Sequence, residues 1–96
     1  MDLEKLTSAI EDCLNFYDPQ GCIAMGSPLD EYRGEAKMIA EGFLNLPSKH
    51  SIQLKVYNVF REQFGDWLAG SFQSYEPIAE DLFNLKHTFG KTYKVR

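Results

Sequence analysis

The sequence predicts an all-α fold: a compact bundle of about four amphipathic helices in a single domain spanning residues 1–96. Three observations predict it. Apolar residues recur at steps of three and four in separate stretches, which places them on one face of a helix. Proline, glycine and serine interrupt the chain between those stretches, at positions suited to stopping one helix and capping the next. The one stretch that also alternates as a strand would, residues 50–60, has no obvious hairpin partner.

The first helix is expected from about residue 2 to 17. Leu3, Leu6, Ile10, Cys13, Leu14 and Tyr17 form its stripe, Asp2 can cap its start, and Pro19 stops it by disfavouring helical geometry in the residue before. Asp18-Pro19-Gln20-Gly21 then reads as a turn, proline presetting the first angle and glycine tolerating positive φ. Cys22-Ile23-Ala24-Met25 is too short for a helix and is expected to be an extended link.

Ser27-Pro28-Leu29-Asp30 reads as the start of a second helix, with a serine cap, a proline at the first helical position and acids facing the helix dipole. Its stripe continues through Tyr32, Ala36, Ile39, Phe43 and Leu46, and Gly34 and Gly42 suggest close approach of a neighbouring helix. Ser48 is the expected cap of a third helix with Ile52, Val56, Val59, Phe60 and Phe64 on one face, stopped by Gly65. Gly65 to Ser74 reads as a loop or a single helical turn. A fourth helix, capped by Ser74 with Pro77 in its first turn, carries Ile78, Leu82, Leu85 and Phe89 and closes at Gly90. The basic tail from Lys91 to Arg96 is expected to fray or to form a short edge strand.

Composition limits the functional classes. Ninety-six residues are near the lower end for a core without staples, but 14% aromatic residues bury large areas each. No apolar run approaches the roughly 18 residues that span a bilayer, and Met1-Asp2-Leu3-Glu4 does not resemble a secretory start, so a cytoplasmic protein that does not enter membranes is expected. Cys13 and Cys22 are then expected to be reduced. The net charge of −4 is uneven: residues 1–50 hold nine acids and four bases, residues 51–96 five acids and six bases. An acidic first half argues against nucleic acid, whose phosphates are held by Lys and Arg, and suits a basic protein partner.

Catalysis finds no support in the residues. His50 and His87 lie far apart and outside any metalloprotease spacing, neither cysteine has a basic cluster nearby, and no glycine-rich phosphate loop follows a strand. Asp18, Asp30, Glu31 and Glu35 do not have the alternate-position spacing of a calcium loop, and capping or solvation accounts for acids at helix ends. No catalytic residue, metal or cofactor is therefore expected.

What remains is binding. Glu31 and Glu35 lie one helical turn apart and would share a face, with Tyr32 either an amphipathic anchor beside them or the first core residue of the stripe. Trp67 and Phe72 fall in a connection, where large aromatics either pack across the bundle mouth or stand exposed for a partner.

Tyr17-Asp18-Pro19-Gln20-Gly21-Cys22-Ile23, Leu29-Asp30-Glu31-Tyr32, Glu35-Ala36 and Ile39, with the later Phe64-Gly65, resemble a pattern in small helical bacterial proteins. Among these are immunity proteins encoded beside polymorphic or contact-dependent growth inhibition toxins. The resemblance covers residues 17–39 well, 56–65 loosely, and hardly touches the rest. It implies an immunity protein that binds and neutralises a cognate toxin domain. From their charge, spacing and aromatic character, Asp18, Asp30, Glu31, Tyr32, Glu35 and Trp67 are the expected partner-binding residues. Many toxins that cut nucleic acid must be basic to hold phosphates, and an acidic inhibitor complements such a toxin. The competing expectation is a regulatory or adaptor bundle with another protein partner, self-association included.

Overall fold

Four α-helices make up the described part of the computed structural model, which covers residues 3–21, 26 and 31–94, the last six of these by backbone alone. Helix α1 (Leu3–Tyr17) packs against α2 (Arg33–Ala40) and α4 (Glu76–Lys94), while α3 (Lys49–Ala69) packs against the same two helices. The all-α bundle expected from the apolar spacing is therefore the fold. Asp2, the link Cys22–Met25 and the helix start Ser27–Asp30 lie outside the described residues.

The spacing of α1 places Leu6, Ile10 and Leu14 in the core, with Cys13 and Tyr17 partly buried beside them. Its end is a local exchange of hydrogen bonds. Asp18 enters the left-handed region at φ 49°, and its amide donates to the Leu14 carbonyl at 2.7 Å. Asp is among the few non-glycine residues that tolerate this conformation. The Gly21 amide then donates to the Asp18 carbonyl at 2.9 Å, closing the expected turn around Pro19 and Gln20.

The second helix is shorter than its sequence pattern. Glu31 and Tyr32 form a turn, α2 starts at Arg33, and it ends at Ala40 because Gly42 takes φ 71°. A 3-10 turn, Phe43–Asn45, then drops Phe43 into the core. Gly34 does not mark a close helix approach: a Cβ there would meet nothing within 4 Å, and the same holds at Gly42, whose role is the backbone reversal.

Residues 50–60 are helical. Ile52, Val56, Val59 and Phe60 are buried while Leu54 is exposed, which fits the helical period and not the alternating one. Ser48 caps α3 as expected: its hydroxyl accepts from the Ser51 amide at 3.2 Å, and the Ser48 amide donates back to the Ser51 hydroxyl at 3.1 Å. Gly65, at φ 86° and ψ 163°, breaks the helical path, and residues 66–69 add one further turn beyond the kink.

Two expectations near α4 are corrected. Ser71, not Ser74, supplies the cap, and it caps a 3-10 turn, Phe72–Tyr75; the Ser74 hydroxyl donates back to the Ser71 carbonyl at 2.6 Å. Gly90 does not close α4, which runs on to Lys94, so the described tail is neither a frayed end nor an edge strand. A single glycine inside a helix costs only about 1 kcal/mol relative to alanine, too little to stop one whose stripe is already buried. Ile78, Ala79 and Leu82 supply that buried stripe.

Polar ties fix the order of the helices around the core. Arg33 of α2 donates to Glu11 of α1 at 2.7 Å and also pairs with Glu4. Lys49 at the start of α3 reaches Glu76 and Glu80 of α4 at 2.6 and 3.1 Å. The Tyr17 hydroxyl donates to Asp81 at 2.6 Å. Such partly exposed ion pairs contribute about 0–1 kcal/mol each, so they select an arrangement that burial stabilises.

Candidate functional site

Phe60 is the centre from which the candidate surface is built. Its ring stacks on Phe64 at 5.7 Å and lies 5.9 Å from the ring of Tyr32 and 5.5 Å from that of Tyr75. Both tyrosines are buried, so each hydroxyl needs a partner. The Tyr32 hydroxyl donates to Asp18 Oδ1 at 2.7 Å and accepts from the Gln20 amide at 3.0 Å. The Tyr75 hydroxyl donates to the Ala69 carbonyl and accepts from Gln20 Nε2 at 3.5 Å. Burial is the main cause that raises the Tyr75 pKa, which keeps its donating proton in place. A chain of hydrogen bonds thus joins the α1–α2 turn to the segment that follows Gly65.

That network revises the expected binding set. Tyr32 is 0% exposed and is a core residue, so it cannot anchor a partner at the surface. Asp18 is engaged by it inside the fold. Glu35 is only 8% exposed, because α2 begins late and its first turn faces inward with Ala36 and Ile39. Glu35 Oε1 is shielded from solvent and has no hydrogen-bond partner among the described residues. Glu31, in the preceding turn, is exposed. The two acids therefore do not present a doubled charge on one face, and Asp30 lies outside the described residues.

Trp67, like Glu31, is an expected site residue that the structure puts at the surface. It is 91% exposed, and the adjacent Leu68 is 61% exposed. They sit on a helical turn bounded by two glycines at positive φ, Gly65 at 86° and Gly70 at 79°. The turn is fastened by its last residue: Ala69 is buried, and its carbonyl takes the Tyr75 hydroxyl. Below it, Gln53 Nε2 donates to the Phe72 carbonyl at 3.0 Å. Phe72 takes the other alternative, half-buried with its ring 5.7 Å from Tyr57 and 5.6 Å from His50. Asp66 is exposed beside Trp67, with Arg61 Nε 3.8 Å away and the Arg61 guanidinium over the Tyr57 ring.

Sequence reasoning missed Phe16, which is exposed at the end of α1 and meets the Tyr17 ring edge-on at 5.0 Å. Its position off the Leu6–Ile10–Leu14 stripe was the available signal. An open groove of about 530 Å³ was also missed; Leu3, Ala40, Phe43 and Leu44 give it an apolar lining. It forms where the start of α1 meets the reversal after α2, a contact that no local pattern encodes.

Reactive chemistry is not gathered in this region. The Cys13 thiol is free, and burial, then the Asp81 carboxylate, push its pKa up to about 12, opposite to what a nucleophile needs. His87 Nδ1 lies 2.9 Å from the Phe83 carbonyl within its own helix. Among the described residues no group of three or more His, Cys, Asp or Glu side chains could hold a metal ion, and no helix is long and apolar enough to cross a membrane. No family model, curated protein or solved structure matches this chain.

Proposed function

We propose that this chain is a non-enzymatic binding protein of the cytoplasm, an immunity protein that neutralises a cognate toxin domain and uses the Trp67–Leu68 turn as its anchor. The observation that carries the reading is a 91% exposed tryptophan on a turn fastened from within by Ala69 and Tyr75. Tryptophan is enriched among the residues that dominate binding energy, and an anchor held in place loses little conformational entropy when it docks. Glu31 and Asp66 add exposed negative charge, which favours a basic partner and mainly raises its association rate. The choice of a toxin as that partner rests on the resemblance of residues 17–39 to immunity proteins.

Co-expression with the product of the adjacent reading frame tests the reading. The two proteins should co-purify, and Trp67→Ala should weaken the complex by about 30-fold, as expected of a hot-spot residue. A neighbouring product that neither binds nor is inhibited removes the toxin reading. A complex whose affinity is unchanged in Trp67→Ala moves the contact away from this turn.

A further inference from the structure

We propose that Gln20 is a positioning residue that works as a switch: the orientation of its side-chain amide decides whether the Trp67 turn is docked on the fold or released from it. This coupling belongs to the protein alone, so it goes beyond the toxin reading and survives the failure of that reading. The turn is built to move as a unit. Gly65 (φ 86°, ψ 163°) and Gly70 (φ 79°, ψ −156°) bound it, and both occupy a backbone region essentially closed to other residues. A Cβ on Gly65 would meet nothing within 4 Å, so glycine stands there for its conformation and not for space. Between these hinges only Ala69 is buried, and its carbonyl is held by the Tyr75 hydroxyl.

Hydrogen-bond direction makes Gln20 the control. A carbonyl only accepts, so Tyr75 gives its one proton to Ala69 and is left able only to accept. Gln20 therefore turns its Nε2 donor, and not its Oε1 acceptor, to the Tyr75 hydroxyl. Tyr75 is 1% exposed, so water does not compete for that proton. Rotating the amide by half a turn puts Oε1 where Nε2 stood. The hydroxyl then donates to Gln20, and the Ala69 carbonyl loses the bond that fastens the turn. The two ends of Gln20 are held unequally. Its backbone amide donates to the Tyr32 hydroxyl at 3.0 Å, and that hydroxyl donates to Asp18 Oδ1 at 2.7 Å. Its Nε2 reaches Tyr75 only at 3.5 Å, beyond the usual range of roughly 2.7–3.2 Å. A fixed backbone carrying a loosely held amide suits a side chain with two discrete arrangements.

Two substitutions hold the switch in its two states. Gln20→Glu offers Tyr75 only acceptor oxygens and should release the turn. Gln20→Met keeps the length but supplies no strong acceptor, so the turn should stay docked. Tyr75→Phe deletes the hydroxyl and serves as the reference for a released turn. Backbone amide relaxation of residues 66–69 by NMR reads the outcome, with the anisotropy decay of Trp67, the single tryptophan, as a second readout. Order parameters in the turn should be about 0.85 in the parent and in Gln20→Met, and should fall to about 0.6 in Gln20→Glu and Tyr75→Phe. Those of residues 49–64 should not change in any variant. Adding Gln20→Glu to Tyr75→Phe should change nothing further, since the hydroxyl through which Gln20 acts is gone. A turn that stays rigid in Tyr75→Phe or Gln20→Glu, or that Gln20→Met releases as fully as Gln20→Glu, overturns the inference. A loosening that spreads over residues 49–64 overturns it as well, because Gln20 would then support the fold at large.

Discussion

Glu31-Tyr32 and Asp66-Trp67 are the same short word, an acid followed by a large aromatic at a helix boundary, yet the fold treats them in opposite ways. Tyr32 is 0% exposed and Trp67 is 91% exposed. The tyrosine can go inside because its hydroxyl finds Asp18 and the Gln20 amide, both distant in sequence, so burial leaves no polar group unsatisfied. The tryptophan stays outside because its turn has one inward position, and Ala69 occupies it. The lesson is that an aromatic beside an acid says little about binding until its surroundings are known. The proposed anchor is an aromatic that the core did not take.

The comparison can be broken most severely at its buried end. Phe60→Ala removes the ring between Tyr32, Phe64 and Tyr75 and should cost about 3–5 kcal/mol, read from the urea unfolding midpoint. A smaller loss would mean that the tyrosines are held by their hydrogen bonds more than by packing. Tyr32→Phe separates those contributions: it keeps the ring and deletes the hydroxyl that donates to a carboxylate, for an expected loss of about 1.5–3 kcal/mol. An unchanged midpoint would show that the Asp18 contact is incidental.

Titration sharpens the contrast along α1. The Cys13 pKa rises from about 9 to about 12, chiefly by burial, and Tyr17 rises from about 10 to about 12, chiefly through its hydrogen bond to Asp81. Both groups hold their protons more tightly when folded, so their contribution is fully present below pH 9 and is lost as the pH rises towards 12. The unfolding midpoint should therefore fall across that window, and Cys13→Ala should flatten the fall from its lower end. Slow alkylation of Cys13 in the folded protein and fast alkylation in urea is the matching chemical readout.

The smallest effects on stability should come from the surface pair. Glu31→Lys and Trp67→Ala should each change it by less than about 0.5 kcal/mol, because neither side chain is buried. Glu31→Lys should slow association with a basic partner and weaken its salt dependence. Glu35→Lys, one turn away, should instead cost about 1–3 kcal/mol, since its carboxylate lies inside the fold. Equal stability of the Glu31 and Glu35 variants would return both acids to one exposed face.

Much of the architecture could be read before any coordinate was known. The periods of α1 and α3, the turn at Asp18–Gly21, the Ser48 cap and the stop at Gly65 are local events, each decided by a few neighbouring residues whose conformational preferences act within one turn. What sequence alone could not decide is which side of a short boundary segment faces inward. Gly42 ends α2 before its stripe runs out at Leu46, Ser71 rather than Ser74 makes the cap before α4, and Gly90 lies within α4 rather than closing it. The same limit governs the site. Tyr32, Glu35 and Trp67 differ in exposure through partners up to tens of residues away, and a groove such as that beside Leu3 and Phe43 exists only once two helix ends have come together.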